Sequence, residues 1–123
     1  MIRGRVTADA QAVVTLHLRG PSGTEVDIEA VVDSGFNDTL TIPPDLVARL
    51  GLNFEETAKL TMANGDKGIF DMYQAEIQWR GAWRRTEVWS VGDAILIGMR
   101  LMTGHRLAID VIPGGAVEIT PLS

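Results

Sequence analysis

Ala30-Val31-Val32-Asp33-Ser34-Gly35-Phe36-Asn37-Asp38-Thr39-Leu40 is the stretch on which the reading of this chain turns. An apolar strand runs directly into an acidic residue, a small hydroxyl and a glycine, and then into a second short strand. The apolar run takes the chain into a core, where an ionised Asp is costly unless it is paired or hydrogen-bonded. Gly35 gives the backbone access to unusual dihedrals and lets another group approach closely. Ser34 brings a hydroxyl that both donates and accepts. Together these residues describe a reactive carboxylate held on a tight loop.

Upstream, Val14, Leu16 and Leu18 alternate with Val13, Thr15 and His17, which predicts a strand from Gln11 to Leu18. Gly20-Pro21-Ser22-Gly23 is a turn. Val26, Ile28, Ala30 and Val32 then alternate with Asp27, Glu29 and Val31, the return strand of a hairpin that delivers Asp33 at its end.

Downstream, Thr39 to Ile42 reads as a short strand and Pro43 to Leu50 as a short helix. Proline suits a first helical turn, where backbone donors have no partner anyway. Asp45 sits near the positive end of the dipole, and Gly51 ends the helix. Leu46, Val47 and Leu50 form its apolar face. Strands at Glu56–Ala63 and Lys67–Trp79 are joined through Asn64-Gly65, which predicts a type I′ turn with positive φ at both positions.

Trp79-Arg80-Gly81-Ala82-Trp83 is a further hairpin corner, with tryptophans placed to pair across the strands. Val88, Trp89 and Val91 carry the strand on towards Asp93. Ala94-Ile95-Leu96-Ile97 is a short continuous apolar run, the pattern of a strand buried on both faces. Gly98 ends it, and Met99 to Met102 predicts one or two helical turns closed by Gly104. Arg106 to Val111 and Ala116 to Thr120 make a last pair of strands around Pro113-Gly114-Gly115. The fold class is mostly β, a single domain over residues 1–123 with one or two short helices.

Hydrophobic content of 46% and a mean hydropathy of +0.11 describe a globular chain. No stretch reaches the length of a membrane span. Met1-Ile2-Arg3-Gly4-Arg5 leads into Val6-Thr7-Ala8-Asp9 without a long apolar run, so neither membrane association nor a signal peptide is expected. The absence of cysteine rules out disulfides and thiolate metal sites and fits a reducing interior, so a cytoplasmic address is expected. A formal net charge of −5 argues against a general nucleic-acid binder. Arg80, Arg84 and Arg85 beside the tryptophans read as a solvated strand face in preference to a base-stacking platform. His17 and His105 lie far apart without ligand partners nearby, so no metal and no cofactor are expected.

At Asp33-Ser34-Gly35, preceded by its apolar run, the chain resembles the retropepsin-like aspartic proteases, whose signature is two hydrophobic residues and then Asp-Thr/Ser-Gly. Ile95-Leu96-Ile97-Gly98 is similar to the hydrophobic-hydrophobic-Gly run late in that domain, and the resemblance extends from about residue 10 to about residue 120. It looks most like the small bacterial branch of the clan, where Asp-Ser/Thr-Gly-Phe-Asn precedes a Leu-Thr-Ile-Pro-like strand.

The resemblance implies a retropepsin-like closed β-barrel or sandwich and an aspartic endopeptidase. Such enzymes hold two carboxylates across one water; like charges that close cannot both ionise, so one acts as base and the other as acid. This chain has a single Asp-Ser/Thr-Gly, since Asp38-Thr39-Leu40 lacks the glycine. The implied enzyme is therefore a two-fold homodimer that sets Asp33 opposite its own copy. Ser34 would hydrogen-bond across the dimer, and Gly35 would admit substrate backbone. Phe36, Asn37 and Asp38 match positions that line the substrate cleft. The 56–79 hairpin corresponds to the flap, with Ala63, Asn64, Gly65 and Asp66 at its tip, and Ile97 and Gly98 support the catalytic loop. The implied substrate is a peptide or unfolded protein, bound as an extended strand between flap and floor.

Three features depart from the retroviral members. Phe36 replaces a small residue, Arg100 lies two residues after Gly98 where those enzymes have Arg immediately after it, and the flap tip is not a glycine-rich run. Retroviral members dimerise through terminal strands. The alternative is a non-catalytic dimerisation or peptide-binding module of the same fold; the intact Asp-Ser-Gly favours catalysis.

Overall fold

A computed structural model describes residues 1–62, 64–79 and 81–123. Ala63 of the anticipated flap tip and Arg80 lie outside the described residues. In chain order the described residues form β1 (Ile2–Val6), β2 (Ala12–Arg19), β3 (Glu25–Val32), β4 (Leu40–Ile42), α1 (Pro44–Leu50), β5 (Asn53–Thr61), β6 (Lys67–Trp79), β7 (Ala82–Ser90), β8 (Leu96–Ile97), β9 (His105–Ile109) and β10 (Ala116–Pro121). The strands join one sheet in the order β5-β6-β7-β4-β8-β3-β2-β1-β10-β9. β6 also meets β2, through Leu18↔Ile77 and Arg19↔Glu76, so the sheet curls back on itself. The molecule is mostly β, as the periodicity predicts.

The β2–β3 hairpin shows how the alternation works. Val14, Leu16 and Leu18 stand opposite Ala30, Ile28 and Val26 on the core side, while Thr15 and His17 face Glu29 and Asp27 outward. α1 buries Leu46, Val47 and Leu50, and Gly51 closes it at φ +60 by donating its N–H to the last turn. Beneath the 33–38 loop, Phe36, Leu60, Met72 and Trp89 make a second, smaller cluster that ties the loop to β5, β6 and β7.

Several local readings are corrected. β1 escapes the pattern because its central inward position is Gly4, where a Cβ would stand 1.7 Å from the Val13 carbonyl oxygen; backbone packing replaces a side chain there. β5 begins at Asn53, ahead of the anticipated start, and a bulge between Phe54 and Glu56 breaks the alternation that would have revealed it.

The Asn64-Gly65 turn is not the two-residue type I′ loop: Thr61 pairs with Lys67, and the N–H of Gly65, whose φ is +88, donates to the Met62 carbonyl at 2.9 Å. Asn64 Oδ1 instead accepts the Asp66 N–H at 2.9 Å, and the Met62 N–H reaches the Asp66 carbonyl at 2.7 Å, closing a longer loop. Trp79 and Trp83 do not pair. Trp79 is opposite Ala82 and Trp83 opposite Gln78, which puts the two indoles on opposite faces of the sheet.

Residues 99–104 form consecutive turns in place of a helix. Met102 and Thr103 donate to Met99 and Arg100, at 3.1 and 3.3 Å, and Gly104 at φ +81 ends the run before a longer ladder develops. The apolar run before them is less buried than its composition suggests. Ile97 and Gly98 are buried, Ile95 and Leu96 half-buried, and Ala94 exposed.

Candidate functional site

β8 lies between the two strands that flank the Asp33 loop. It runs parallel to β3 (Val31↔Leu96, Val32↔Ile97) and antiparallel to β4 (Leu40↔Ile97, Thr41↔Leu96). From there residues 95–100 hold the loop by backbone hydrogen bonds. The Val31 and Asp33 N–H groups donate to the carbonyls of Ile95 and Ile97, at 2.8 and 2.9 Å. In the other direction the N–H groups of Gly98, Met99 and Arg100 donate to the carbonyls of Thr39, Phe36 and Asp38, at 2.9, 2.8 and 3.2 Å. Close approach is possible because residue 98 has no side chain: a Cβ there would fall 2.0 Å from the Asp38 carbonyl oxygen. Thr41, buried and read from the sequence only as a strand residue, completes the joint. Its hydroxyl donates to the Ala94 carbonyl at 3.0 Å and accepts the Leu96 N–H at 3.1 Å.

On this support Asp33 is half-buried, and its Oδ1 accepts the Gly35 N–H at 2.9 Å. That bond fixes the carboxylate to its own loop while the neighbouring Ser34 and Gly35 remain exposed. Asp33 lines a cleft of about 360 Å³ together with Val31, Val32, Ile109 and Val111. Ser34 and Asn37 line another cleft of about 570 Å³, together with Met99, His105 and Leu107. The β9 residues in these walls escaped the sequence reading, because only the topology carries the end of the chain back to residue 33.

Phe36 is fully buried in the second cluster, so its side chain supports the loop from below and does not line a cleft. Asp38 is also turned inward: its Oδ1 accepts the Thr39 N–H at 2.8 Å, and its Oδ2 is 3.9 Å from the Arg100 guanidinium. Arg100 thus reaches an acidic loop residue despite its displaced position in the sequence.

No family model matches the chain, and no curated protein matches it.

The described residues of the β5–β6 hairpin tip do not share a cleft with Asp33. Asn64 and Asp66 bond each other and line their own cleft of about 440 Å³ with Met62 and Phe70. What joins hairpin to loop is the cluster of Phe36, Leu60, Met72 and Trp89. The arginines on β7 have local roles: Arg84 lies over Trp79, 5.2 Å from its ring centre, and binds the Leu101 carbonyl. Trp79 is buried, and its indole N–H meets His105 Nε2 at 3.3 Å, while the Trp83 ring carries Arg19 at 4.1 Å. Among the described residues no group of three His, Asp or Glu side chains is gathered as a metal site, and no helix is long and apolar enough to cross a membrane.

Proposed function

We propose that this chain is one subunit of a homodimeric aspartic endopeptidase of the retropepsin-like kind, acting in the cytoplasm on extended or unfolded peptides. The observation that carries the reading is the backbone clamp from residues 95–100, which holds Asp33 half-exposed at the mouth of a cleft. A loop fixed from both flanks suits a carboxylate that must keep its geometry through a reaction.

One Asp33 carboxylate takes a proton from a shared water. The water oxygen attacks the peptide carbonyl carbon, and the carboxylic acid of the partner's Asp33 protonates the carbonyl oxygen. The first Asp33, now protonated, gives its proton to the amide nitrogen while the partner's Asp33 carboxylate takes a proton from the gem-diol hydroxyl. The carbonyl reforms, the C–N bond breaks and the amine leaves. Two carboxylates sharing one proton divide these roles between them. Asn37 and the Met99–Leu107 wall offer a polar and apolar lining for an extended peptide, the β5–β6 hairpin serves as the flap, and the curled sheet is the family's barrel.

The test is cleavage of a mixed peptide library across about pH 4 to 7, where paired carboxylates share a proton, with wild type beside Asp33→Asn. Cleavage by the wild type alone supports the reading. A folded wild-type dimer that cleaves nothing would leave the peptide-binding module in its place.

A further inference from the structure

The sheet has two outer strands, β5 and β9, and they are built differently. β5 carries Glu55, Glu56 and Lys59 and is broken by its bulge, features that discourage an edge from pairing. β9, His105-Arg106-Leu107-Ala108-Ile109, runs in unbroken register with β10 and has Arg106 as its one Lys, Arg, Asp or Glu residue. The terminal strands β1 and β10 are paired on both sides within the chain, so neither offers an edge. Asp110 donates its N–H to Ala116 at 2.9 Å. By antiparallel alternation Leu107 and Ile109 then turn their backbone groups to the free side.

Beyond β9 the turn presents Val111, 73% exposed, and Ile112, 62% exposed. This edge borders the candidate site, since Ile109 and Val111 share a cleft with Asp33, and Leu107 shares one with Ser34.

We infer that a second copy of this chain docks on the β9 edge and the adjoining 110–113 turn. The inference rests on the reading that Asp33 needs its own copy: two carboxylates at one water put the two-fold axis beside the loop, and the surface next to Asp33 must then face the partner. Charge supports this occupant. A two-fold axis at Ala108 sets Leu107 against the partner's Ile109, both with backbone groups turned outward, and Arg106 against the partner's Asp110. The pairing is isologous, so each oppositely charged contact occurs twice. A stable dimer covers roughly 800 Å² per partner, a little over a tenth of this chain's 6829 Å². The interface therefore takes in β9, the turn and the Asp33 loop together.

Arg106 and Asp110 are both exposed and lie four positions apart on an extended strand, too far to pair within one chain. Sedimentation over a concentration series should find a wild-type dimer, weakened by about tenfold or more in Arg106→Asp and restored in Arg106→Asp/Asp110→Arg. Val111→Glu/Ile112→Glu should give a folded monomer by circular dichroism. A wild type that stays monomeric, or a dimer indifferent to all three variants, overturns the inference. Because the readout is oligomeric state, the two ideas fail separately. A dimer that follows the charge reversal but cleaves nothing keeps the interface and removes the peptidase. A cleaving dimer indifferent to the variants does the reverse.

Discussion

Gly98 and Asp38 meet backbone to backbone. A Cβ added at Gly98 would stand 2.0 Å from the Asp38 carbonyl oxygen and 2.7 Å from Cδ2 of Phe36. The obstacle at Asp38 is a carbonyl already bonded to the Arg100 N–H, so it cannot move aside alone. Gly98→Ala should therefore push β8 away from the loop and cost about 3 kcal/mol, the upper part of the range for overpacking. Urea unfolding measures the loss. On the proposed peptidase reading, cleavage should fall further than the unfolded fraction explains, because the Asp33 N–H donates to the Ile97 carbonyl of the displaced segment.

Phe36 gives the second prediction. It is fully buried against Leu60, Met72 and Trp89, so one side chain joins the Asp33 loop to the β5–β6 hairpin. Phe36→Ala should cost about 3–5 kcal/mol by transfer and cavity effects, and Phe36→Leu on the order of 1 kcal/mol. Hydrogen exchange separates a local from a general effect. The amides of Leu60 and Met72 should lose protection in Phe36→Leu, while those of Val14 and Ile119 in the main core keep theirs. Equal loss at both places would show that Phe36 is ordinary core and not a link.

The parts legible in the sequence were those written in local periodicity. The β2–β3 hairpin delivers Asp33 because alternation from Val13 to Val32 leaves one face apolar, and α1 follows from proline, Asp45 and Gly51 at its ends. What stayed hidden depends on neighbours distant in sequence. The strand at Ile2–Val6 went unread because only the fold shows the Val13 backbone packed against Gly4. Thr41 is one more strand residue until Ala94 and Leu96 come within reach of its hydroxyl. Trp79 and Trp83 read as a cross-strand pair until the register sets them on opposite faces. For the candidate site the loop and its glycine support were readable, whereas the β9 wall came from topology alone.

The last prediction concerns the place where the sheet curls back. Arg19 and Glu76 are directly opposite in the β2–β6 contact, and the guanidinium binds both carboxylate oxygens, Nη2 to Oε2 at 3.0 Å and Nε to Oε1 at 3.3 Å. That hydrogen bonding holds the Glu76 carboxyl below its ordinary value against the opposing effect of desolvation, with the charges of Arg19 and Arg85 helping, and it raises Arg19 in turn. A depressed carboxylate contributes stability that is present above its unfolded pKa of about 4.3 and is lost as pH falls through the lower folded value. Glu76→Gln removes the charge and with it this dependence. Urea midpoints at about pH 7, 5, 4 and 3 should show the wild type's advantage over Glu76→Gln steady at the first two and shrinking at the last two. An advantage that grew in acid would mean that Glu76 binds its proton more tightly in the folded chain, and the clamp at the β2–β6 contact would then have to come from Leu18 and Ile77 alone.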